Sequence, residues 1–152
     1  MRAMDCRRFD DDLHAFGLAV HLLPRVEPFS GYQFGRFANV LMGQIRRKHY
    51  VFAMSAGAPV GYVGWAMCSE ENARAWIARE SVPTFEECLR GDCWVGITYY
   101  AANARACWAL ARHCRARYPG AKAFGIREYR AGHRTLALTN MTQGEPAAQT
   151  AA

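Results

Sequence analysis

The sequence lacks any long apolar run. No stretch reaches the roughly 18 consecutive apolar residues that a membrane-spanning helix needs, and Met1–Asp12 is charged where a secretory signal would be apolar. We therefore expect no membrane span, and a cytoplasmic protein is the simplest interpretation. The 152 residues contain neither an internal repeat nor a linker, which predicts one domain over residues 1–139. The small and polar residues 140–152 are expected to form a disordered tail.

Paired cysteine motifs are missing as well. The six cysteines include no CxxC pair, whereas zinc sites usually show such tight spacing. We therefore expect no metal, and buried reduced thiols are the simpler interpretation. We also expect no other resident cofactor. Cys93 could act as a nucleophile only beside a base, and the sequence shows no such pairing.

Lysine is scarce, because Lys48 and Lys122 are the only two, and the net charge of +6 comes almost entirely from arginine. A basic surface suits nucleic acid, an anionic membrane surface or an acidic protein. No nucleic-acid-binding motif accompanies the charge, so we expect no nucleic-acid partner. One dense cluster, Arg46, Arg47 and Lys48, is either a solvated helix C-terminus that complements the helix dipole or a docking patch for an acidic protein.

Hydrophobic periodicity predicts helices and strands in an order that suits one mixed sheet with helices packed on it. The predicted helices are residues 9–23, 32–48, 69–79, 84–89 (short) and 104–118. The predicted strands are residues 50–54, 60–67, 93–101, 121–129 and 133–138, with 93–101 in a central position because it is the most apolar. Ser69 is the expected N-cap of the third helix.

Two stretches, PVGYVGWAMCSEEN (59–72) and GDCWVGITYYAA (91–102), carry a resemblance to a known family, and the arginine-rich hairpin GIREYRAGHR (125–134) fits the same pattern. In order and spacing they resemble the toxin-activating lysine acyltransferases, the HlyC-like family, and the resemblance covers about residues 9–135. These enzymes transfer a fatty acyl group from acyl carrier protein to a lysine of an RTX protoxin. The resemblance implies an α/β (α+β) domain with a GNAT-like acyltransferase fold, acyl carrier protein and an acceptor protein as partners, and a possible homodimer.

The chain departs from this family at two positions that carry its chemistry. Phe29 stands where the family has a histidine, and Thr98 stands where it has an aspartate on the central strand. Lysine acylation needs a neutral amine. A free lysine has a pKa of about 10.4, so its amine is mostly protonated at pH 7 and a base must take up the proton. General acid–base help is typically worth about 10²–10⁴-fold in rate. The loss of both groups predicts weak activity unless other residues substitute.

Other residues are candidates for a role in this site. His21 is a possible substitute base, and with His14 on the same helix face it could instead bind a metal or porphyrin, although a partly polar helix face explains both more simply. Trp65, which matches a family tryptophan near the acyl site, and Tyr99 and Tyr100 are candidate substrate-binding residues. Core packing is the alternative for each of these three aromatic side chains.

Two functions from different classes follow. The first is a divergent acyltransferase that takes a fatty acyl group from acyl carrier protein. The carrier protein would dock on Arg46, Arg47 and Lys48. The second is a non-catalytic relative that keeps the fold and the cleft and binds a protein partner or a ligand as an accessory or assembly factor. The absent histidine and aspartate favour the second function, and the extent of the resemblance favours the first.

Overall fold

The computed structural model describes residues 4–129 and 132–138. Its helices are α1 (Asp12–Leu22), α2 (Phe34–Arg46), α3 (Glu70–Ile77) and α4 (Ala104–Arg117). Its strands are β1 (Asp5–Arg7), β2 (Tyr50–Ser55), β3 (Ala58–Cys68), β4 (Cys93–Ala101), β5 (Lys122–Tyr129) and β6 (Gly132–Leu138). Within these residues, no helix has both the length and the apolar character needed to cross a membrane.

A single mixed sheet runs in the order β1-β2-β3-β4-β5-β6. Neighbouring strands are antiparallel except β4 and β5, which are parallel because α4 connects them by a crossover. This confirms the predicted mixed sheet flanked by helices, and it is consistent with a GNAT-like acyltransferase fold. β3 and β4 lie in the middle of the sheet, as predicted for residues 93–101.

Different helices cover the two faces of the sheet. α4 packs on the face that carries Val63 and Trp65. α1 and α2 cover the opposite face through Phe52 and Tyr62, and α3 joins that side near Ala66. Because successive side chains of a strand point to opposite faces, β3 is buried from both sides over most of its length.

The β2–β3 turn has two residues, Ala56 and Gly57, with φ angles of 51° and 80°. Ser55 pairs directly with Ala58, so both strands reach the turn. Two positive φ angles in a two-residue loop are those of a type I′ turn, whose twist matches that of the strands. β3 therefore begins two residues earlier than predicted. Ser69 caps α3 as expected.

The sequence did not predict β1, which pairs with the edge of β2 through Asp5, Cys6 and Arg7. Its three residues are too few and too charged to show an apolar alternation. α1 begins at Asp12 rather than at residue 9, because the Asp11 side chain caps its first turn. The predicted short helix at 84–89 is wrong, since residues 85–89 form turns. The predicted tail, residues 140–152, lies outside the described residues.

Candidate functional site

β4 and β5 separate in the middle of the sheet. Their parallel pairing runs from Cys93–Lys122 to Gly96–Gly125 and then stops, although both strands continue. β4 also carries a bulge there, because Ile97 is an extra residue between two successive pairs with β3. The sheet therefore offers an opening beside Ile97.

Two cavities lie beside this opening, on the face that α2 and α3 cover. The first, the α2 cavity, has a volume of about 430 Å³. The second, the α3 cavity, has a volume of about 520 Å³. They share the side chains of Trp76, Val82 and Ile97, and we call them together the divergence groove. Both volumes fall in the range of roughly 300–1,000 Å³ that small-molecule sites occupy.

Within the divergence groove, the walls of the α2 cavity are largely apolar, whereas those of the α3 cavity are polar and apolar in about equal parts. Those of the α2 cavity come from α2, β3, β4, Trp76 and the loop that follows α3: Asn39, Val40, Gly43, Arg47, Ala66, Cys68, Trp76, Val82, Pro83, Phe85, Cys88, Val95 and Ile97. The α3 cavity adds Tyr32, Arg79, Glu80, Ser81 and Ile126. Val40, Val82 and Phe85 are 41%, 82% and 40% exposed. Exposed apolar side chains at the rim of a cleft are typical of a ligand site.

Thr98, which the resemblance aligns with an aspartate, is buried beneath α2. Its side chain lies on the groove's side of the sheet, but the residue is 1% exposed, and its hydroxyl accepts a hydrogen bond from Gln44 Nε2 at 2.9 Å. The other end of the same amide, Gln44 Oε1, accepts a hydrogen bond from the Tyr62 hydroxyl at 2.8 Å. Burial raises the pKa of Tyr62 well above its usual value, so this hydroxyl stays protonated. The network therefore holds Thr98 as a structural group.

Phe29, which the resemblance aligns with a histidine, is also a core residue. It is 7% exposed and stacks on Phe37 of α2 with ring centroids 5.3 Å apart. The ring of Tyr32 meets it edge-on at 5.6 Å, and Tyr32 itself lines the α3 cavity. Phe29 and Thr98 thus both contact α2, Phe29 through Phe37 and Thr98 through Gln44. Neither Phe29 nor Thr98 lines the divergence groove.

Three of the histidines, His14, His21 and His49, lie outside the lining of the divergence groove. His21 is exposed in the last turn of α1, and it is not among the residues that line the groove. His14 lines a separate cavity near β1. His49 lies on the α4 side of the sheet, stacked on Trp65, and burial lowers its pKa to about 4, with Arg47, Arg117 and Arg8 acting in the same direction.

The three aromatic candidates separate between the two faces of the sheet. Trp65 is fully buried on the α4 side, where its Nε1 donates to the Tyr118 hydroxyl at 3.0 Å. Tyr99 lies on that side too, and its hydroxyl is 3.0 Å from Cys107 Sγ of α4. Tyr100 lies on the groove's side but packs against the cluster formed by α1, α2 and β2. None of the three lines the divergence groove.

The three residues of the basic cluster at the end of α2, Arg46, Arg47 and Lys48, have different surroundings. The amide N–H of Lys48 bonds Ile45 O and that of His49 bonds Gln44 O, while Lys48 has a φ of 58°. This is the Schellman arrangement, with lysine in the left-handed position that glycine usually takes. The chain reverses at Lys48, so its Nζ reaches Asp12 of α1 at 2.6 Å. Arg47 turns into the α2 cavity, and Arg46 remains exposed.

Buried thiols, as expected from the sequence, are found at Cys68, Cys88, Cys93 and Cys114, whereas Cys6 is half-buried and Cys107 is exposed. None of the six forms a disulfide. Burial raises the pKa of Cys93, as it raises that of Cys68 to about 12, so both stay protonated as poor nucleophiles. Within residues 4–129 and 132–138, no group of three His, Cys, Asp or Glu side chains could hold a metal ion.

Sequence reasoning missed two features, one in the groove and one on the α4 side of the sheet. The loop after α3, which contributes Val82 and Phe85 to the groove, has no periodic pattern that would reveal its position. The second feature was readable in the sequence: residues 93–127 contain five arginines and Lys122 but no aspartate or glutamate. Much of this positive charge lies on α4, where Arg105 and Arg112 are exposed around Trp108, which is 63% exposed.

The comparison with known proteins identifies one family over most of the chain. A profile of the HlyC family, described as the RTX toxin acyltransferase family, matches residues 9–139. No curated protein matches the chain. The matched segment contains α1 to α4, β2 to β6 and every residue that lines the divergence groove. The chain therefore belongs to the RTX toxin acyltransferase family.

Proposed function

We propose that this protein binds the fatty acyl chain of an acyl-carrier-protein thioester in the divergence groove. In this proposal it is a relative of the toxin-activating lysine acyltransferases in which two catalytic positions have become core residues. The observation that carries the proposal is the groove that opens beside Ile97, where β4 and β5 part, and whose α2 cavity has largely apolar walls. The identity of the acceptor protein and a homodimer stay predictions from the family.

An alkyl chain suits these walls for a simple energetic reason. Each methylene group that leaves water contributes about 0.8 kcal/mol to binding. Val40, Val82 and Phe85 are exposed around the α2 cavity and would lose contact with water at the same time. An acyl chain would therefore bury apolar surface on both partners.

Transfer by the family's proton-handling pair is not expected. Phe29 has no ionisable group, and the Thr98 hydroxyl is engaged with Gln44 in the core. Without general acid–base help, transfer to a lysine should be slower by about 10²–10⁴-fold. Binding without efficient transfer corresponds to the accessory function that the sequence left open.

The first experiment measures binding of a long-chain acyl carrier protein and compares it with the unacylated carrier. The wild type should prefer the acylated form. Ile97→Trp, which fills space common to both cavities, should remove this preference. Leu13→Trp is the matched control, because Leu13 is 74% exposed on α1, away from the groove. Equal binding of both carrier forms by the wild type would contradict the proposal.

Docking of the acidic carrier protein can use either of two basic surfaces. Arg46 is exposed at the end of α2, close to the Arg47 side of the groove. Arg112 is exposed on α4, in the stretch without acidic residues. Charge complementarity mainly affects the association rate and its salt dependence. Arg46→Glu and Arg112→Glu should therefore be compared with Arg25→Glu, an exposed control, and the larger loss in association rate identifies the docking surface.

A second candidate is complete acyl transfer to a protein lysine, which one observation favours. Glu80 is the only acidic residue that lines the divergence groove among the residues with described side chains. A carboxylate at this place could accept a proton from the attacking lysine amine. Glu80→Gln should then abolish acyl transfer, followed by mass spectrometry of a lysine-containing acceptor, and leave binding of the acyl carrier protein intact. Unchanged transfer would exclude this role for Glu80.

A further inference from the structure

Arg47 places a guanidinium group in the wall of the α2 cavity. Among the residues whose side chains are described, no aspartate or glutamate lines this cavity, and Arg47 is the one lining side chain with a formal charge at neutral pH. Burial lowers the pKa of Arg47, an effect opposed by the nearby Cys88 and Tyr62 side chains. A desolvated cation without a counter-charge is unfavourable, and an anionic partner would offset that penalty.

The hydrogen-bonding groups of Arg47 are largely unused within the described part of the chain. A guanidinium has five N–H donors. Here Nη2 donates to Trp65 O at 3.4 Å, near the limit for a hydrogen bond, and Nε is buried without a partner. The planar group also lies over the ring of Phe85, 5.3 Å from its centroid. The aromatic contact holds the guanidinium in place and leaves most of its donors available for an acceptor.

Charge and shape together select one class of ligand. The remaining walls of the α2 cavity are apolar apart from Asn39, so a ligand that fills the cavity needs an apolar body and one anionic end. We propose that the α2 cavity binds an unesterified long-chain fatty acid, with its carboxylate on Arg47 and its alkyl chain along Val40, Val82 and Phe85. Arginine suits this role because its planar fork matches the two oxygens of a carboxylate.

This proposal uses the same groove as the proposed function but a different ligand. An acyl thioester is uncharged at its carbonyl and cannot neutralise Arg47, whereas a free fatty acid can. The free acid should therefore compete with the acyl chain of the carrier protein. The phosphate of a phosphopantetheine arm is another possible anion for Arg47, and the experiment separates it from the carboxylate.

The test is calorimetric titration of the wild-type protein with dodecanoate and with methyl dodecanoate, both below their aggregation limits. We expect dodecanoate to bind about ten-fold or more tightly than the ester, because a hydrogen bond to a charged group is worth that much. Arg47→Met should remove this difference and leave the affinity for the ester within about three-fold. Arg36→Met is the matched control, since Arg36 is exposed on the same helix and outside the cavity.

Each outcome decides the proposal. Equal affinity of the wild type for acid and ester, or an unchanged preference in Arg47→Met, overturns it. In a competition experiment, phosphopantetheine and decanoate are each added to the dodecanoate complex. If phosphopantetheine displaces dodecanoate and decanoate does not, Arg47 binds phosphate rather than carboxylate, and the proposal is overturned as well. If the wild type binds the acylated carrier protein but not dodecanoate, only this inference is overturned. If the wild type binds neither the acylated carrier protein nor dodecanoate, the proposed function is overturned as well. Should Arg47→Met fail to fold, the acid–ester comparison on the wild type still decides.

Discussion

Replacing Thr98 by valine removes one hydroxyl group and keeps the shape of the side chain. In the wild type this hydroxyl accepts a hydrogen bond from Gln44 Nε2 at 2.9 Å, and Gln44 is 0% exposed. In the variant the amide donor has lost its acceptor and cannot reach water. Leaving a buried donor unsatisfied costs about 1–3 kcal/mol. For a domain of this size each kcal/mol lowers the melting temperature by about 2–4 °C.

Thr98→Ser is the matched control for this prediction. It keeps the hydroxyl and loses one methyl group, which should cost about 1 kcal/mol. Urea unfolding followed by tryptophan fluorescence gives the free energy of unfolding of both variants, provided that the slope with urea is unchanged. Thr98→Val should be clearly less stable than Thr98→Ser. The reverse order, or a valine variant within about 0.5 kcal/mol of the wild type, would show that the network does not stabilise the protein.

Tyr62→Phe extends the same experiment to the other end of the amide. The Tyr62 hydroxyl donates to Gln44 Oε1, so the two bonds hold one side chain between them. Two changes that act on one network should not be additive, and a coupling energy of about 0.5–3 kcal/mol is expected for the double variant. Additive effects would mean that Gln44 keeps its position with either bond alone.

Two further predictions concern pH and packing. Because the pKa of His49 falls to about 4 in the folded protein from 6.5 in the unfolded chain, the unfolded chain binds more protons between these values. Stability should therefore be complete above about pH 6.5 and fall by about 2 kcal/mol between pH 8 and pH 5; His113, whose pKa is also lowered, adds to this loss. Urea unfolding at both pH values checks this, and a His49→Gln variant with an undiminished loss would contradict it. Gly64→Ala should unfold at clearly lower urea concentration than Gly125→Ala, because a Cβ on Gly64 would lie 1.8 Å from Gln44 Oε1, whereas one on Gly125 meets nothing within 4 Å.

Much of the fold was accessible from the sequence. Alternating and helical apolar patterns depend on the residues of one element alone, so α2, β4 and α4 were predicted with errors of a few residues at their ends. Ser69 also predicted the start of α3, because an N-cap hydrogen bond joins residues close together in the sequence. β1 could not be predicted, because its three residues form a strand only through pairing with β2.

The candidate site was less accessible, since it depends on elements that are distant in the sequence. The resemblance drew attention to Phe29 and Thr98 but could not reveal that both residues are buried against α2. Arg47 and Lys48 are neighbours in the sequence and resembled a single patch. Because the backbone of Lys48 is left-handed, the Lys48 side chain contacts Asp12 and the Arg47 side chain lines the α2 cavity.

The sequence by itself determined the family and the order of most helices and strands. These properties are local, because they follow from residue type and spacing. Only the tertiary structure decided that Thr98 is bonded to Gln44 and that a groove opens beside Ile97. Such features require strand register, the parting of β4 from β5 and the packing of α2 and α3 on one face, and these are set by contacts between residues far apart in the chain.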